Sequence, residues 1–287
     1  MSYEKVFSWH QPLDLRDLCV PINKCISVKL GAIDKMIVEK LEKYNYDQAP
    51  IVDNNCVYGL ISTQRLKELL NTNQPLTKDD PEILGEDRVV WGTEGVQLDY
   101  LFSKLSETRA TLVQDEYDGG EYGTAMVIHG LITISDLNRH ALRTVLYRMI
   151  SVLEVDLVHV IEKYFSEPWD WLKHLNEEAQ VKILGYWQLS ERKGVDIGPL
   201  AAANFTHLLQ VIEKTQDLLG ELGFSAKDYA RCIKGMPELR NRIMHSVRPL
   251  ILDIDDVKWL HNVIGCIIDF GIRVEALLKE WEGQRDE

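Results

Sequence analysis

The first half of the chain contains one order of elements twice, and this internal repeat constrains the fold of the 287 residues more than any other feature. The first copy occupies residues 15–70. Its hydrophobic pattern predicts the following elements in order: an extended stretch at 25–28, a helix over 32–44, strands at 49–52 and 57–61 joined by an Asp-Asn-Asn turn, and a helix over 65–70.

The second copy occupies residues 88–147 and repeats the plan. The predicted elements are a strand at 88–91, a helix over 98–105, strands at 110–113 and 126–132, and a helix that starts around 133–138. A polar segment with two prolines, residues 71–87, separates the copies, and residues 1–14 form an N-terminal segment. The sequence therefore predicts two β-α-β-β-α units.

The second half of the chain has a helical pattern throughout. One long helix is predicted from Asp136 to about Tyr164, and a later one from Pro199 to Leu219. The long helix carries an apolar stripe: Leu142, Val145, Leu146, Met149, Ile150, Leu153, Leu157, Val160, Ile161 and Tyr164. We expect a bundle of four to six helices over residues 148–287, so the predicted fold class is α+β with an all-α second domain.

Composition narrows the classes of function. Hydrophobic residues make up 45% and charged residues 27%, which is typical of a globular protein. The sequence has neither an apolar run long enough to span a bilayer nor a signal-peptide pattern at its start, and its five cysteines are scattered. We therefore expect a cytoplasmic protein with reduced thiols and no membrane partner. The net charge of −13 argues against a protein that coats nucleic acid with its whole surface.

The end of the second repeat carries the strongest local motif, Gly130-Leu-Ile-Thr133-Ile-Ser-Asp136-Leu-Asn138. A hydroxyl and backbone N–H groups at a helix start can meet phosphate, and an aspartate one turn on can accept hydrogen bonds from ribose hydroxyls. The motif and the repeat resemble the CBS pair (Bateman) family. The resemblance implies a regulatory adenine nucleotide, AMP, ADP or ATP, bound by Thr133 and Asp136.

The first repeat departs from this motif. Gly59-Leu-Ile-Ser62-Thr-Gln-Arg65 places Arg65 where the family has the ribose-binding aspartate. Arg65 can instead meet a phosphate, so Ser62 and Arg65 are also candidate nucleotide-binding residues. The structural alternative is that Ser62 and Thr133 only cap their helices.

The helical half carries the motif Pro237-Glu-Leu-Arg240-Asn241-Arg242-Ile243-Met244-His245. On a helix, Asn241 and His245 are four residues apart and share a face, with Arg240 on the flank. The motif resembles the Arg-(polar)-x-x-x-His signature of HEPN domains, and Glu154 lies in a segment that looks like their first long helix.

This second resemblance implies metal-independent cleavage of RNA without a catalytic cofactor. His245 would move a proton and Arg240 would stabilise the phosphorane-like transition state, with Asn241 and Glu154 beside them. HEPN domains commonly pair, so a homodimer with a composite site is implied. The segment from 231 to 248 has five cations against Glu238, and four of them would attract RNA: Arg231, Lys234, Arg242 and Arg248.

Two functions remain open on sequence grounds. One is a nucleotide-regulated endoribonuclease, with the long helix from Asp136 carrying the signal. The other is a non-catalytic adenine-nucleotide sensor whose helical domain binds a partner protein or RNA. Glu154 and Asp156 either orient Arg240 or are ordinary surface charges, and the surface role is the preferred interpretation for Asp156. No metal-ligand motif is present in the sequence.

Overall fold

A computed structural model describes residues 15–54, 56–80, 89–91, 98–118, 124–195, 197–245 and 247–283. The chain divides into two compact units. Of the described residues, the repeat unit comprises 15–142 together with Leu250–Lys258, and the helical unit comprises 143–249 and 259–283. This division follows spatial clustering, whereas the predicted domain ranges 15–70, 71–87, 88–147 and 148–287 follow the sequence repeat.

The repeat unit contains six strands and three α-helices among its described residues. The strands are β1 (Val20–Pro21), β2 (Gln48–Asp53), β3 (Cys56–Ser62), β4 (Val89–Trp91), β5 (Ala110–Asp118) and β6 (Thr124–Thr133). The helices are α1 (Lys35–Lys43), α2 (Thr63–Thr72) and α3 (Leu98–Thr108). The second copy therefore shows the predicted β-α-β-β order, and the first copy shows the predicted α-β-β-α part of the plan.

The two copies pair their strands in the same way. In the second copy β4 is parallel to β5, and β5 is antiparallel to β6. In the first copy Val28 makes a single parallel bridge to Ile51 of β2, and β2 is antiparallel to β3. The extended stretch predicted at 25–28 is therefore only a bridge at Val28. Strand β1 pairs with β6 of the other copy, which gives a four-stranded sheet of order β1-β6-β5-β4 and a two-stranded sheet β2-β3.

A glycine lies at the same place in both hairpins. Gly59 pairs with Ile51 and Gly130 pairs with Val113, and in each hairpin the register shifts immediately after that pair. Gly59 has φ +146, a conformation that favours glycine. At Gly130 a Cβ would collide with the Val20 carbonyl of β1, so a side chain there is incompatible with the β1–β6 pairing.

Two apolar clusters stabilise the repeat unit. The first lies between α1, α2 and the β2-β3 hairpin and contains Val28, Val38, Leu41, Ala49, Ile51, Ile61, Leu66, Leu69 and Leu76. The second joins the two hairpins and contains Leu60, Ala110, Leu112 and Leu131. Because Leu60 belongs to the first copy and the other three to the second, the copies share a core.

The remaining α-helices are α4 (His140–Tyr164), α5 (Glu177–Arg192), α6 (Phe205–Lys214), α7 (Gln216–Glu221), α8 (Ala226–Ile233), α9 (Met236–Met244) and α10 (Ile254–Gly283). Short 3-10 helices lie at Asp170–His174 and Pro199–Ala202. The part of the chain after 138 is therefore all helical where the structure describes it. None of the described helices is long and apolar enough to cross a membrane.

Two predicted helices differ from the observed ones. The long helix begins at His140 and not at Asp136, because Arg139 is extended (φ −66, ψ 152) and separates α4 from a 3-10 helix at Ile134–Asn138. The helix predicted from Pro199 to Leu219 is three pieces. It is interrupted at Thr215, which has φ −101 and ψ 87 and whose hydroxyl donates to the Val211 carbonyl at 2.7 Å.

The apolar stripe of α4 forms part of the helical core. Every predicted stripe residue is buried except Val145 and Tyr164, which are half-buried. Three edge-to-face aromatic rings add to this core, those of Phe224, Tyr229 and Phe270, with centroids 5.5 to 5.6 Å apart. The Tyr229 hydroxyl donates to the Leu209 carbonyl at 2.9 Å, so this buried polar group is satisfied.

Candidate functional site

A cleft of about 570 Å³ lies entirely within the repeat unit. This volume is in the range of small-molecule sites, about 300–1,000 Å³. Its lining residues come from both copies and from the segment before α10: Val20, Cys25, Ile26, Asn45, Tyr46, Asp47, Gln48, Pro50, Arg109, Ala110, Leu131, Thr133, Ile134, Ser135, Asp136, Asn138, Ile251, Leu252, Asp253 and Ile254. Apolar walls and a few polar groups are the usual composition of a site for an organic ligand.

The Thr133–Asp136 motif forms one side of this cleft, where β6 ends and the 3-10 helix begins. The Thr133 hydroxyl lies 2.8 Å from the Ser135 hydroxyl. Asp136 is buried, with 8% of its surface exposed. The predicted nucleotide-binding residues of the second copy therefore all line one cavity.

The Asp136 carboxylate is already occupied by protein donors. Its Oδ2 accepts from the Thr133 N–H at 2.9 Å and from the Thr133 hydroxyl at 2.7 Å. Its Oδ1 accepts from Arg139 Nε at 3.1 Å and pairs with Arg139 Nη2 at 2.9 Å. Since a carboxylate offers about four acceptor positions, a ribose would have to displace one of these donors. Asp136 thus accepts from the backbone N–H at the start of the 3-10 helix, which is a structural role for the carboxylate.

Arg109 lies at the cleft between α3 and β5, and sequence reasoning missed it. Its backbone is left-handed (φ +60), and its guanidinium is 3.5 Å from the Asp47 carboxylate. Both side chains are largely exposed, so this ion pair is weak and exchangeable. Among the described lining residues Arg109 is the one Lys or Arg. A lone cation directly before a strand of the repeat was the available signal.

The segment before α10 forms another wall, and Asn138 holds it. The Asn138 carbonyl oxygen accepts from Leu250 N at 2.6 Å and Ile251 N at 3.0 Å, and its amide nitrogen donates to the Ile251 carbonyl at 2.8 Å. Leu250 and Ile251 lie 112 and 113 residues after Asn138 in the sequence. No local pattern could have identified this wall.

The equivalent residues of the first copy, Ser62 and Arg65, are bound to other groups of the protein. The Ser62 hydroxyl accepts from Arg65 N at 3.0 Å and caps α2. The Arg65 guanidinium pairs with Glu68 at 3.3 Å and with the buried Asp80 at 3.4 Å. These two carboxylates, through their hydrogen bonds and then their charge, raise the pKa of Arg65. Arg65 therefore takes the place of the aspartate while being paired with acidic side chains.

In the helical unit the Arg240 motif lies at the end of α9. The helix ends at Met244, and His245 is its C-cap residue with φ −95 and ψ 73. The expected shared helical face of Asn241 and His245 is therefore wrong in detail, although the His245 N–H still donates to the Asn241 carbonyl at 3.1 Å. Both side chains are exposed.

Arg240 pairs with Glu154 of α4, with Nη2 3.7 Å from Oε1. Of the two roles left open for Glu154, orienting Arg240 is the one that such a contact suits. Asp156, two residues further along α4, is buried with 6% exposure. The preferred interpretation of Asp156 as a surface charge is therefore wrong, since it faces the core beside Leu157.

Arg143, near the start of α4, holds the segment that carries His245. It is only 6% exposed, and burial lowers the pKa of its guanidinium. Its Nη1 donates to the Arg242 carbonyl at 2.7 Å, and its Nη2 donates to the Arg248 carbonyl. The two carbonyls lie on either side of His245. A charged residue seven positions before the buried Ile150 was a signal that sequence reasoning did not use.

The basic run from 231 to 248 is partly neutralised. Arg231 pairs with Asp228 at 3.0 Å, and Arg242 pairs with Glu238 at 2.8 Å while its guanidinium stacks 4.3 Å from the Trp259 ring centroid. Lys234 and Arg248 are exposed. Exposed ion pairs of this kind contribute little to stability.

A metal site is not evident in the described ranges, where no group of three or more His, Cys, Asp and Glu side chains could hold an ion.

Comparison with known proteins gave structural likenesses only. No family model matches the sequence, and no curated protein matches it. Among the similar solved structures is a CBS domain-containing protein of unknown function from Bacillus anthracis str. Ames Ancestor, 16% identical, with 45% of this chain and 91% of that chain covered and a TM-score of 0.34.

Two further structures of this kind contain AMP. CBSX2 in complex with AMP is 21% identical, with 46% of this chain and 98% of that chain covered and a TM-score of 0.34. A CBS-domain pair with bound AMP from Klebsiella pneumoniae is 21% identical, with 44% of this chain and 95% of that chain covered and a TM-score of 0.31.

Proposed function

We propose that the repeat unit is a CBS pair that binds a regulatory adenine nucleotide in the cleft beside Thr133, Ser135 and Asp136. The observation that carries this is the convergence of hydroxyl groups, one guanidinium and apolar walls on a single cavity of about 570 Å³. Hydroxyls and Arg109 suit the sugar and phosphate, and Ile26, Leu131 and Ile251 suit a base.

Calorimetry tests this proposal. We expect AMP to bind the whole chain saturably with one site per chain. Ser135→Trp places a large ring at an exposed position that lines the cleft, so we expect it to reduce AMP affinity at least about tenfold, equivalent to about 1.4 kcal/mol. Ser190→Trp, at the end of α5 in the helical unit, is the matched control and should leave binding unchanged. Equal binding by both variants would place the nucleotide elsewhere.

The helical unit has a second candidate function, metal-independent cleavage of RNA as in HEPN domains. The observation that favours it is the Arg240–Glu154 ion pair, together with the exposure of His245 five residues after Arg240. In this reaction the ribose 2′-hydroxyl attacks phosphorus, the bond to the 5′-oxygen breaks, and His245 takes up or supplies the proton. Arg240 offsets the charge on the transition state. The products are a 2′,3′-cyclic phosphate and a 5′-hydroxyl.

This function implies a homodimer in which both motifs face one composite site, with Asn241 beside the reacting phosphate. Lys234 and Arg248 would attract RNA directly, and Arg231 and Arg242 would do so by exchanging their carboxylate partners for phosphate. The measured mass in light scattering should then be twice that of the chain.

The nuclease is tested by incubating labelled RNA, in EDTA, with each of four proteins. We expect cleavage by the wild type and a loss of at least about 100-fold, roughly 2.7 kcal/mol, in Arg240→Ala and His245→Ala. Arg192→Ala, an exposed arginine at the end of α5, is the control. Equal cleavage by all variants would indicate a contaminating nuclease. No cleavage by any of them would favour the non-catalytic alternative, in which the helical unit binds a partner protein or RNA. If the wild type does cleave RNA, repeating the assay with AMP measures whether the nucleotide regulates the reaction.

A further inference from the structure

The charges around the cleft restrict how much phosphate its ligand can carry. Three carboxylates line it, those of Asp47, Asp136 and Asp253, against the single guanidinium of Arg109. One of the three, Asp47, already lies 3.5 Å from Arg109. Arg139, which pairs with Asp136 at 2.9 Å, adds a second guanidinium, so three carboxylates still stand against two cations. A ligand with several phosphate charges would therefore meet more negative than positive charge at close range.

The backbone N–H groups that usually receive phosphate at a helix start are also engaged here. At the start of α10 the Asp253 carboxylate accepts from Asp255 N at 2.9 Å and Asp256 N at 3.0 Å. Leu252 N donates to the Asp256 carboxylate at 2.8 Å. The positive end of this helix is thus filled by acidic side chains of the protein itself, which leaves little to attract a phosphate.

The other helix start in the cleft is filled in the same way. The Thr133 N–H and hydroxyl both donate to the Asp136 carboxylate. Among the described lining residues, Arg109 is the one cationic group, and the remaining donors, such as the Asn45 amide and the Tyr46 hydroxyl, are neutral. One guanidinium can pair with a single phosphate group, whereas a chain of phosphates finds no second cation among these residues.

From this charge balance we infer that the cleft selects a nucleoside monophosphate over the di- and triphosphate, with Arg109 as the residue that binds the phosphate. The inference rests on the proposed nucleotide-binding function and sharpens it to a ligand class. Asp253 is the group that most strongly opposes further phosphates, because two backbone N–H groups fix its carboxylate at the cleft wall.

The test is calorimetric titration of the whole chain with adenosine, AMP, ADP and ATP, in EDTA and at low ionic strength. We expect AMP to bind tightest and ATP to bind at least about tenfold more weakly. The ratio should shrink in about 0.5 M salt, because screening weakens the repulsion. If ATP binds as tightly as AMP or tighter, the inference is overturned and nucleotide binding stands. If none of the four binds, the proposed function fails as well.

Two variants assign the effect to residues. Arg109→Ala should bring AMP down to the affinity of adenosine, and Lys29→Ala, an exposed lysine outside the cleft, should not. Asp253→Asn keeps a good helix cap and removes one charge, so it should bring ATP at least about threefold closer to AMP. Asp79→Asn, an exposed aspartate that does not line the cleft, should leave the ratio unchanged. An unchanged AMP affinity in Arg109→Ala, or an unchanged ratio in Asp253→Asn, would contradict the assignment to that residue.

Discussion

At the scale of single residues, several motif residues stabilise the fold of this protein, in addition to any ligand that they bind. Asp136 accepts hydrogen bonds from Thr133 and is paired with Arg139, and Ser62 caps α2. A sequence motif gives the residue types and their spacing, but it does not tell which partner each polar group takes. Only the competing donors and acceptors in space decide that.

Asp136→Asn tests how far the aspartate is structural. We expect the free energy of unfolding in urea to fall by about 1–2 kcal/mol, because the ion pair with Arg139 is lost and the cap is weakened. Asp79→Asn should change it by less than about 0.5 kcal/mol. A stability equal to wild type, together with a loss of AMP binding, would show that the carboxylate serves the ligand instead.

The Cys25 thiol at the cleft should be unreactive. Burial, followed by the charges of Asp136 and Cys19, raises the pKa of Cys25 to about 11. At pH 8 only about one thiol in a thousand is then ionised, and the thiolate is the species that reacts. We expect iodoacetamide to modify the exposed Cys56 and to leave Cys25 unmodified in the native protein, as followed by mass spectrometry of peptides. In denaturant all five cysteines should react, and rapid native labelling of Cys25 would contradict the prediction.

At the scale of elements, periodicity predicted most helices and strands, and it failed where one residue leaves the regular conformation. The extended Arg139 ends the 3-10 helix before α4, Thr215 divides α6 from α7, and α9 ends before His245. Helix starts that depend on local side-chain chemistry are regular: the Ser225 side chain caps α8, and Pro237 lies in the first turn of α9. Breaks that depend on backbone angles leave a weaker trace in the sequence.

The end of α9 supplies a prediction at this scale. Arg143→Ala removes two charge-assisted hydrogen bonds to the Arg242 and Arg248 carbonyls and leaves a cavity, so the free energy of unfolding should fall by about 3 kcal/mol. Arg143→Lys retains the charge but not the fork and should fall between wild type and Arg143→Ala. Arg192→Ala is the exposed control, expected within about 0.5 kcal/mol of wild type. A loss in Arg143→Ala no larger than that of the control would mean that Arg143 does not stabilise the segment carrying His245.

At the scale of the whole molecule, chain order and spatial grouping differ. The repeat unit includes Leu250–Lys258, from the far end of the sequence, and Asn138 binds the backbone of Leu250 and Ile251. Leu250 and Ile251 are themselves buried. A domain boundary drawn from the repeat alone leaves this segment out, because nothing in a local pattern records a contact made more than one hundred residues later.

A chain ended after residue 147 tests that contribution. Without residues 250–254 this shorter chain lacks one wall of the cleft. We therefore expect its melting temperature to be lower than that of the intact chain and its AMP affinity to be at least about tenfold lower. Full-length Asn138→Ala, which keeps the segment but removes its ties, should lie between the truncated and intact chains, and it remains informative if the shorter chain does not fold. AMP binding by the truncated chain at full affinity would show that the segment is dispensable.

By itself the sequence determined the doubled β-α-β-β-α plan, the helical second half and most of the buried stripe of α4. These follow from local periodicities. The strand and helix plan occurs in both copies, and the apolar stripe recurs over many turns of one helix. Only the tertiary structure decided that Asp136 is saturated by Thr133 and Arg139, that Arg65 is paired with Asp80, and that Arg109 and the segment before α10 complete the cleft. The physical reason is that a polar group takes whichever donor, acceptor or charge the folded chain brings nearest, and that neighbour is often remote in the sequence.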